Sequence, residues 1–310
     1  RTLKYYNNEE MKSFTKESFE KNSFNKKNVV IIIMESFSKE YIGYYNDEKG
    51  YTPFLDSLMS NSLVMERAYS NGIKSIEALP SIISSIPSLM DNPFITSSYS
   101  TNKYIGLPTI LKKEGYSTSF FHGGNRGTMG FFQFSKKIGF DKYFGREDYN
   151  NEKDYDGTWG IYDGPYFNYY LNYLNQEKEP FFSSIFSLSS HPPYNIPEKF
   201  ENNFEKGNLE IHESIGYADY VLGEFFKNAK NKHWYKNTLF IITADHTSPE
   251  RKNKKYKNRV GRYSIPIIYF MGDTSIKGKH KSVTQQIDIM PTILDILNYN
   301  KEYFSFGKSI

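Results

Sequence analysis

Two unbroken β-branched runs limit what this chain can fold into more than any other feature. Val29-Val30-Ile31-Ile32-Ile33-Met34 leads directly into Glu35, and Leu239-Phe240-Ile241-Ile242-Thr243-Ala244 leads directly into Asp245-His246. A strand with one wet face alternates apolar and polar residues. A strand without alternation is buried on both faces, as in a parallel sheet covered by helices on each side. Open α/β sheets gather ligands at the carboxyl ends of their strands. The pattern therefore predicts a carboxylate and an Asp-His pair facing each other across one site.

The remaining signals alternate strand and helix. Strands are expected at 28–34, 117–121, 181–188, 238–244 and 265–271. A helix opens at Thr52-Pro53, with Thr52 as N-cap and Pro53 at the first position. Further helices are expected at 75–85, 107–114 (stopped by Gly115), 211–228 and 288–297. The aromatic and glycine-rich stretch 122–166 shows little periodicity and reads as a functional loop region. Residues 1–27 read as a polar lead-in, helical around 9–19. No internal repeat is present, and one α/β domain over 28–310, with a smaller C-terminal portion completing it, fits best.

Composition removes several chemistries. None of the 310 residues is cysteine, which excludes thiolate nucleophiles, Cys-type zinc sites and disulfides. No stretch approaches the roughly 18–20 apolar residues that a membrane span needs. The chain opens on Arg1 with no signal-peptide pattern, so it is expected to be part of a longer protein whose missing region could hold a membrane anchor. The net charge of +4 is spread among acids and amides, and no nucleic-acid motif accompanies it. One basic run stands out, Arg251-Lys252-Asn253-Lys254-Lys255-Tyr256-Lys257-Asn258-Arg259. It reads either as a solvated loop or as an anion-attracting rim.

Candidate chemistry sits where apolar runs end. Asp245 offers a hard oxygen and His246 a borderline nitrogen, a mixture that zinc and manganese accept; a hydrogen-bonded structural pair is the alternative. Glu35 directly after a buried run is costly unless paired, hydrogen-bonded or metal-bound. Ser75 opens an apolar-periodic helix, where it could be a plain N-cap or a nucleophile beside free N–H groups. His122 and His191 also follow strand-like runs, and would suit contacts with a transferring group's oxygens or proton transfer to a leaving group. His212, His233 and His280 read as surface residues.

The order of these motifs resembles the sulfatase-like branch of the alkaline phosphatase superfamily, and within it the lipoteichoic acid synthase and phosphoglycerol transferase group. The resemblance runs from about Asn28 to Asn298. It rests on Asn28 through Ser36, Thr52-Pro53-Phe54-Leu55, Asn71-Gly72-Ile73-Lys74-Ser75, Phe121-His122-Gly123-Gly124, Trp159-Gly160-Ile161-Tyr162-Asp163, Ser190-His191-Pro192, Ala244-Asp245-His246, and Gln286 through Leu294.

The resemblance implies an alkaline-phosphatase-like three-layer α/β/α sandwich with a mostly parallel central sheet. It implies one divalent metal held by Glu35, Ser75, Asp245 and His246, manganese first, with zinc or magnesium as alternatives. Ser75 would be the nucleophile, forming a phospho-serine intermediate, and His191 and His122 would be catalytic or substrate-site histidines. Family members usually carry a membrane-spanning N-terminal region and an extracytoplasmic catalytic domain, so the expected substrates are phospholipid head groups or envelope glycans. The positions of the glycerophosphate-binding Trp and Arg fall nearest to Met129 and Phe131, and Arg126 could supply a phosphate contact instead. Formylglycine sulfatases need a Cys/Ser-x-Pro-x-Arg motif, and Ser75-Ile76-Glu77-Ala78-Leu79 lacks its Pro and Arg. The expected activity is therefore a metal-dependent phosphotransferase or phosphodiesterase. A sulfatase or phosphatase on the same scaffold, or a catalytically silent envelope-binding domain, are the alternatives.

Overall fold

The computed structural model describes Thr15–Lys16 and residues 23–46 and 49–310. The two apolar runs are neighbouring strands at the centre of the sheet. Strand β1 is the short pair Thr15–Lys16, and β2 is Asn28–Met34. Then come β3 (Leu63–Tyr69), β4 (Ser117–His122), β5 (Lys142–Phe144), β6 (Phe181–Phe186) and β7 (Thr238–Ala244). The series ends with β8 (Ile267–Met271), β9 (Gly278–Gln285) and β10 (Tyr303–Phe304). The main sheet has eight strands in the order β5-β4-β6-β2-β7-β8-β3-β9, and only β8 runs antiparallel to its neighbours. Every residue of β2, β6, β7 and β8 is buried. Each fully buried aliphatic side chain contributes about 1.5–3 kcal/mol.

Helices pack in two groups with the sheet between them. One group holds α1 (Pro53–Met59), α6 (Asp163–Leu174) and α7 (Ile211–Ala229); the other holds α2 (Ser75–Ser84), α3 (Leu107–Lys112) and α9 (Ile289–Ile296). Short α4 (Phe131–Ile138), α5 (Arg146–Tyr149) and α8 (Lys254–Lys257) lie in connections between strands. No helix among the described residues is long and apolar enough to cross a membrane.

Several expectations needed correction. The stretch 122–166 is not irregular: it holds α4, β5, α5 and the start of α6. Phe131, Phe134, Ser135 and Ile138 are buried at true helical spacing, but aromatics on neighbouring faces hide the period. Strand β3 went unseen because Glu66-Arg67 interrupts it, and β9 because Gly278–Gln285 is a polar edge strand, the usual defence of an open edge. Thr52 does not cap α1 with its side chain. Instead the Asp219 carboxylate, reaching across from α7, accepts from Phe54 N and Leu55 N, both at 2.9 Å. The helix expected at 9–19 lies largely outside the described residues; within it, Thr15–Lys16 is a strand paired with β10. His212 is buried rather than on the surface, stacked on Tyr51 at 3.9 Å.

Candidate metal centre and nucleophile

Register brings the two strand ends together. Asn28 through Met34 pair in parallel with Thr238 through Ala244, so Glu35 and Asp245 emerge side by side. Glu35 is 1% exposed and Asp245 0%. Ser36 takes a left-handed backbone (φ 57°), unusual for a residue with a side chain. That turn aims its N–H at Asp245 Oδ1 (2.9 Å) and its hydroxyl at Glu35 Oε1 (2.7 Å). Ser187 and Ser190, just past β6, hold the Glu35 backbone: Glu35 N donates to Ser187 Oγ (2.8 Å), and Ser190 Oγ donates to Glu35 O (2.6 Å). Burial, and then the charge of Asp245, push the Glu35 carboxyl well above the usual carboxylate range.

Ser75 enters from across the sheet. It is the first residue of α2, with Lys74 at the N-cap position. The capping work belongs to Glu77, whose Oε2 accepts from Ile73 N (2.9 Å) and Lys74 N (3.2 Å). The Ser75 hydroxyl is therefore not a cap. It lies 3.4 Å from Glu35 Oε2 and 3.3 Å from His246 Nε2. Gln286, named in the sequence only as the start of a family anchor and given no role there, ties this loop to β7. It accepts from Asn71 N (2.9 Å) and donates to the carbonyls of Ala244 (2.9 Å) and Asp245 (2.6 Å). Apart from that motif, it looks locally like an ordinary polar residue before an apolar helix.

The four side chains present lone pairs to one small volume. His246 Nδ1–H donates to Thr247 O at 2.9 Å, which leaves a lone pair on Nε2 in the neutral ring. That nitrogen is 3.1 Å from Asp245 Oδ2 and 3.8 Å from Glu35 Oε1. Asp245 Oδ2 is buried with no hydrogen-bond donor among the described residues. Ligand atoms of Glu35, Asp245 and His246 all lie within 4.8 Å of one another. Acceptors converging this way repel unless a cation sits among them, so the donor set fits a divalent metal. Arg251 Nη1 steadies the same loop by donating to Thr247 Oγ1 (3.1 Å) and Ser248 O (2.6 Å).

Of the other expected residues, His191 comes into electrostatic reach. Burial holds its pKa below the ordinary histidine value, opposed by its bond to Pro192 and the charge of Asp245. Its ring lies 4.1 Å from that of Trp159, whose Nε1–H donates to Pro192 O (2.8 Å). Trp159 was legible only as a family anchor, since nothing local marks it as part of a site. Asp163 fixes the loop beneath, accepting from Leu188 N (2.7 Å) and Ser189 N (3.1 Å).

The segment after β4 behaves differently. His122 is fully buried between Phe131 (5.1 Å) and Phe186 (5.6 Å), and neither ring nitrogen has a partner among the described residues. Burial pulls its pKa to about 3, so the ring is neutral. Phe131 is wholly inside the core, stacked on Phe186, and offers a substrate no surface. Arg126 is committed to Asp148 Oδ1 at 2.5 Å. Met129 is half-buried with a left-handed backbone (φ 49°).

A family model described as Sulfatase matches residues 27–299. The chain belongs to the sulfatase family. Lipoteichoic acid synthase 1 of Bacillus subtilis (strain 168) is 27% identical over 315 residues, covering 92% of this chain and 48% of the relative. The chain thus spans about half the length of the curated relatives it matches. A solved alkaline phosphatase superfamily protein from Vibrio parahaemolyticus superposes with a TM-score of 0.81 at 26% identity, over 94% of this chain and 70% of that one. A lipoteichoic acid synthase from Listeria monocytogenes gives 0.82 at 22% identity, over 92% and 75%. The resemblance read from the ordered motifs, and the alkaline-phosphatase-like sandwich it implied, are both borne out.

Proposed function

We propose that residues 28–310 form an extracytoplasmic catalytic domain that transfers a phosphoglycerol-like or other phospho-alcohol group through a phospho-Ser75 intermediate. The observation that carries this reading is the Ser75 hydroxyl held 3.3–3.4 Å from His246 and Glu35 at the start of a ten-residue helix. That position surrounds the serine with free N–H groups and the positive end of the helix dipole, which favour a bound phosphoryl group. Glu35, Ser75, Asp245 and His246 would hold one divalent cation, manganese first and zinc second. When bound, such a cation lowers the hydroxyl's pKa and polarises the phosphoryl oxygens.

In the first half-reaction Ser75 Oγ attacks phosphorus. An Oγ–P bond forms, the P–O bond to the leaving alcohol breaks, and the serine proton ends on that alcohol. In the second, an acceptor hydroxyl attacks the phospho-serine and Ser75 Oγ leaves with its electron pair, to be reprotonated. His191 suits the removal of the acceptor's proton. Its Nδ1–H is engaged with Pro192 O at 2.9 Å, so the neutral ring presents Nε2 as a base. A phospholipid head group is the proposed donor and an envelope polyol or glycan the proposed acceptor, in keeping with the likeness to lipoteichoic acid synthases.

Ser75→Ala should lower turnover of an aryl phosphodiester reporter by about 10³-fold or more while leaving the fold intact. Mass spectrometry of acid-quenched wild-type protein should find a phosphorylated peptide containing Ser75. Full turnover by the variant would sink the proposal.

A further inference from the structure

Beyond Arg251, which braces the loop after His246, the basic run at 251–259 supplies nothing to the candidate metal centre, yet one of its lysines borders a second polar site. Lys255 lines a cavity of about 340 Å³ that Lys39, Arg67 and Lys279 also line. Lys39 and Lys255 sit in the segments that follow β2 and β7, the strands that end in Glu35 and Asp245.

Lys39 is only 5% exposed. Its Nζ donates to Glu66 O (2.8 Å) and Met65 O (3.4 Å), and stands 4.4 Å over the Tyr45 ring. Lys255 Nζ donates to Tyr45 O at 3.3 Å, at the edge of the same group. One carboxylate lines the cavity, that of Glu66, and it is 3.6 Å from Lys279. Lys39, Lys255 and Arg67 form no ion pair among the described residues. The Lys39 amine is pushed down to about 7 by burial and next by the charge of Lys255, while Glu66 acts in the opposite sense.

Carbonyl partners account for Lys39 as a buried structural lysine. They do not account for three more cations converging on the same cavity with one acid between them. Like charges gathered in a partly dry space raise its free energy unless an anion joins them. We propose that this cavity is an anion-binding site for a phosphate-type tetrahedral oxyanion, supplied either as free phosphate or by a phosphate group of a polyanionic chain. Lys39 is the built-in donor at its floor, and Lys255, Arg67 and Lys279 are the exposed cations at its rim. The site is separate from Ser75, and its existence does not depend on the phospho-serine reading.

The test uses Ser75→Ala protein, so that no probe is turned over, and two probes, inorganic phosphate and a decathymidylate as a simple phosphodiester chain. Adding Lys255→Ala or Lys39→Met should weaken binding of the preferred probe at least tenfold. Lys255 is exposed, so Lys255→Ala keeps the test valid even if the buried substitution impairs folding. A chain that binds tenfold tighter than phosphate, and loses that advantage in Lys255→Ala, identifies a polyanion as the source. Equal affinities identify free phosphate. Tungstate soaked into crystals should give anomalous density between Lys39 and Lys255. Density beside residue 75 alone, or a fall in affinity smaller than tenfold in Lys255→Ala, would overturn the proposal.

Discussion

Gln286→Ala separates the geometry of the proposed nucleophile, Ser75, from its chemistry. The amide is fully buried, makes three hydrogen bonds, and touches none of the reacting atoms. Its removal orphans Asn71 N–H, which costs about 1–3 kcal/mol, and strips one donor from each of two carbonyls. A total near 3 kcal/mol, at roughly 2 °C per kcal/mol for a chain of this size, lowers Tm by about 6 °C. The catalytic effect follows from position. Asn71 lies four residues before Ser75, and a misplacement of about 1 Å can cost up to roughly 10²-fold in rate. Turnover of a phosphodiester reporter, measured well below the variant's Tm, should therefore show kcat down about 10- to 100-fold with KM little changed. A 6 °C drop in Tm with kcat intact would refute the positioning role. An unchanged Tm would refute the hydrogen-bond accounting itself.

Two further outcomes follow from buried groups. Burial pushes the Asp163 carboxyl up to about 6 from an ordinary 3.8, so its contribution to stability is full below about pH 4 and is lost as pH rises through 6. The stability of wild type relative to Asp163→Asn should fall by about 2.4 kcal/mol between pH 4 and pH 7, read by urea unfolding, and a flat difference would contradict the assignment. Phe131→Ala should cost about 3–5 kcal/mol by opening the core, with no selective rise in KM. A stable variant with a raised KM would return Phe131 to the substrate site.

What the sequence made legible was what local pattern encodes. Uninterrupted apolar runs announced β2 and β7, and the residues directly after them announced the group of side chains that could hold a metal. Ser75 was visible as a residue opening a helix, but its two readings could be separated only in three dimensions, where Glu77 takes the capping bonds. The hidden parts depend on partners distant in sequence. Asp219 caps α1 from more than 160 residues away, and Gln286 joins the Ser75 loop to β7 from more than 200. The stretch 122–166 failed for another reason. Its aromatics fill the core from several faces at once, so no single period stands out, and the sequence gives no sign that His122 and Phe131, both expected at the site, lie inside the core.

The pairing of β2 with β7 also explains why so awkward a site can exist. Glu35 and Asp245 bring two carboxylates out of water, Asp245 Oδ2 lacks a donor among the described residues, and Ser36 holds a left-handed turn, each unfavourable by itself. A slip of one residue between the strands would turn Glu35 to the opposite face and relieve the crowding at once. Seven consecutive paired residues, all buried, oppose it, because the same slip would shift the whole ladder and send every apolar side chain from Val29 to Met34 into the packing of the opposite face. The core therefore does more than support the centre. It denies the strand ends the rearrangement they would otherwise adopt, and leaves the converging lone pairs to be met by a cation or by a proton on Glu35, whose carboxyl is already pushed up by burial and by Asp245.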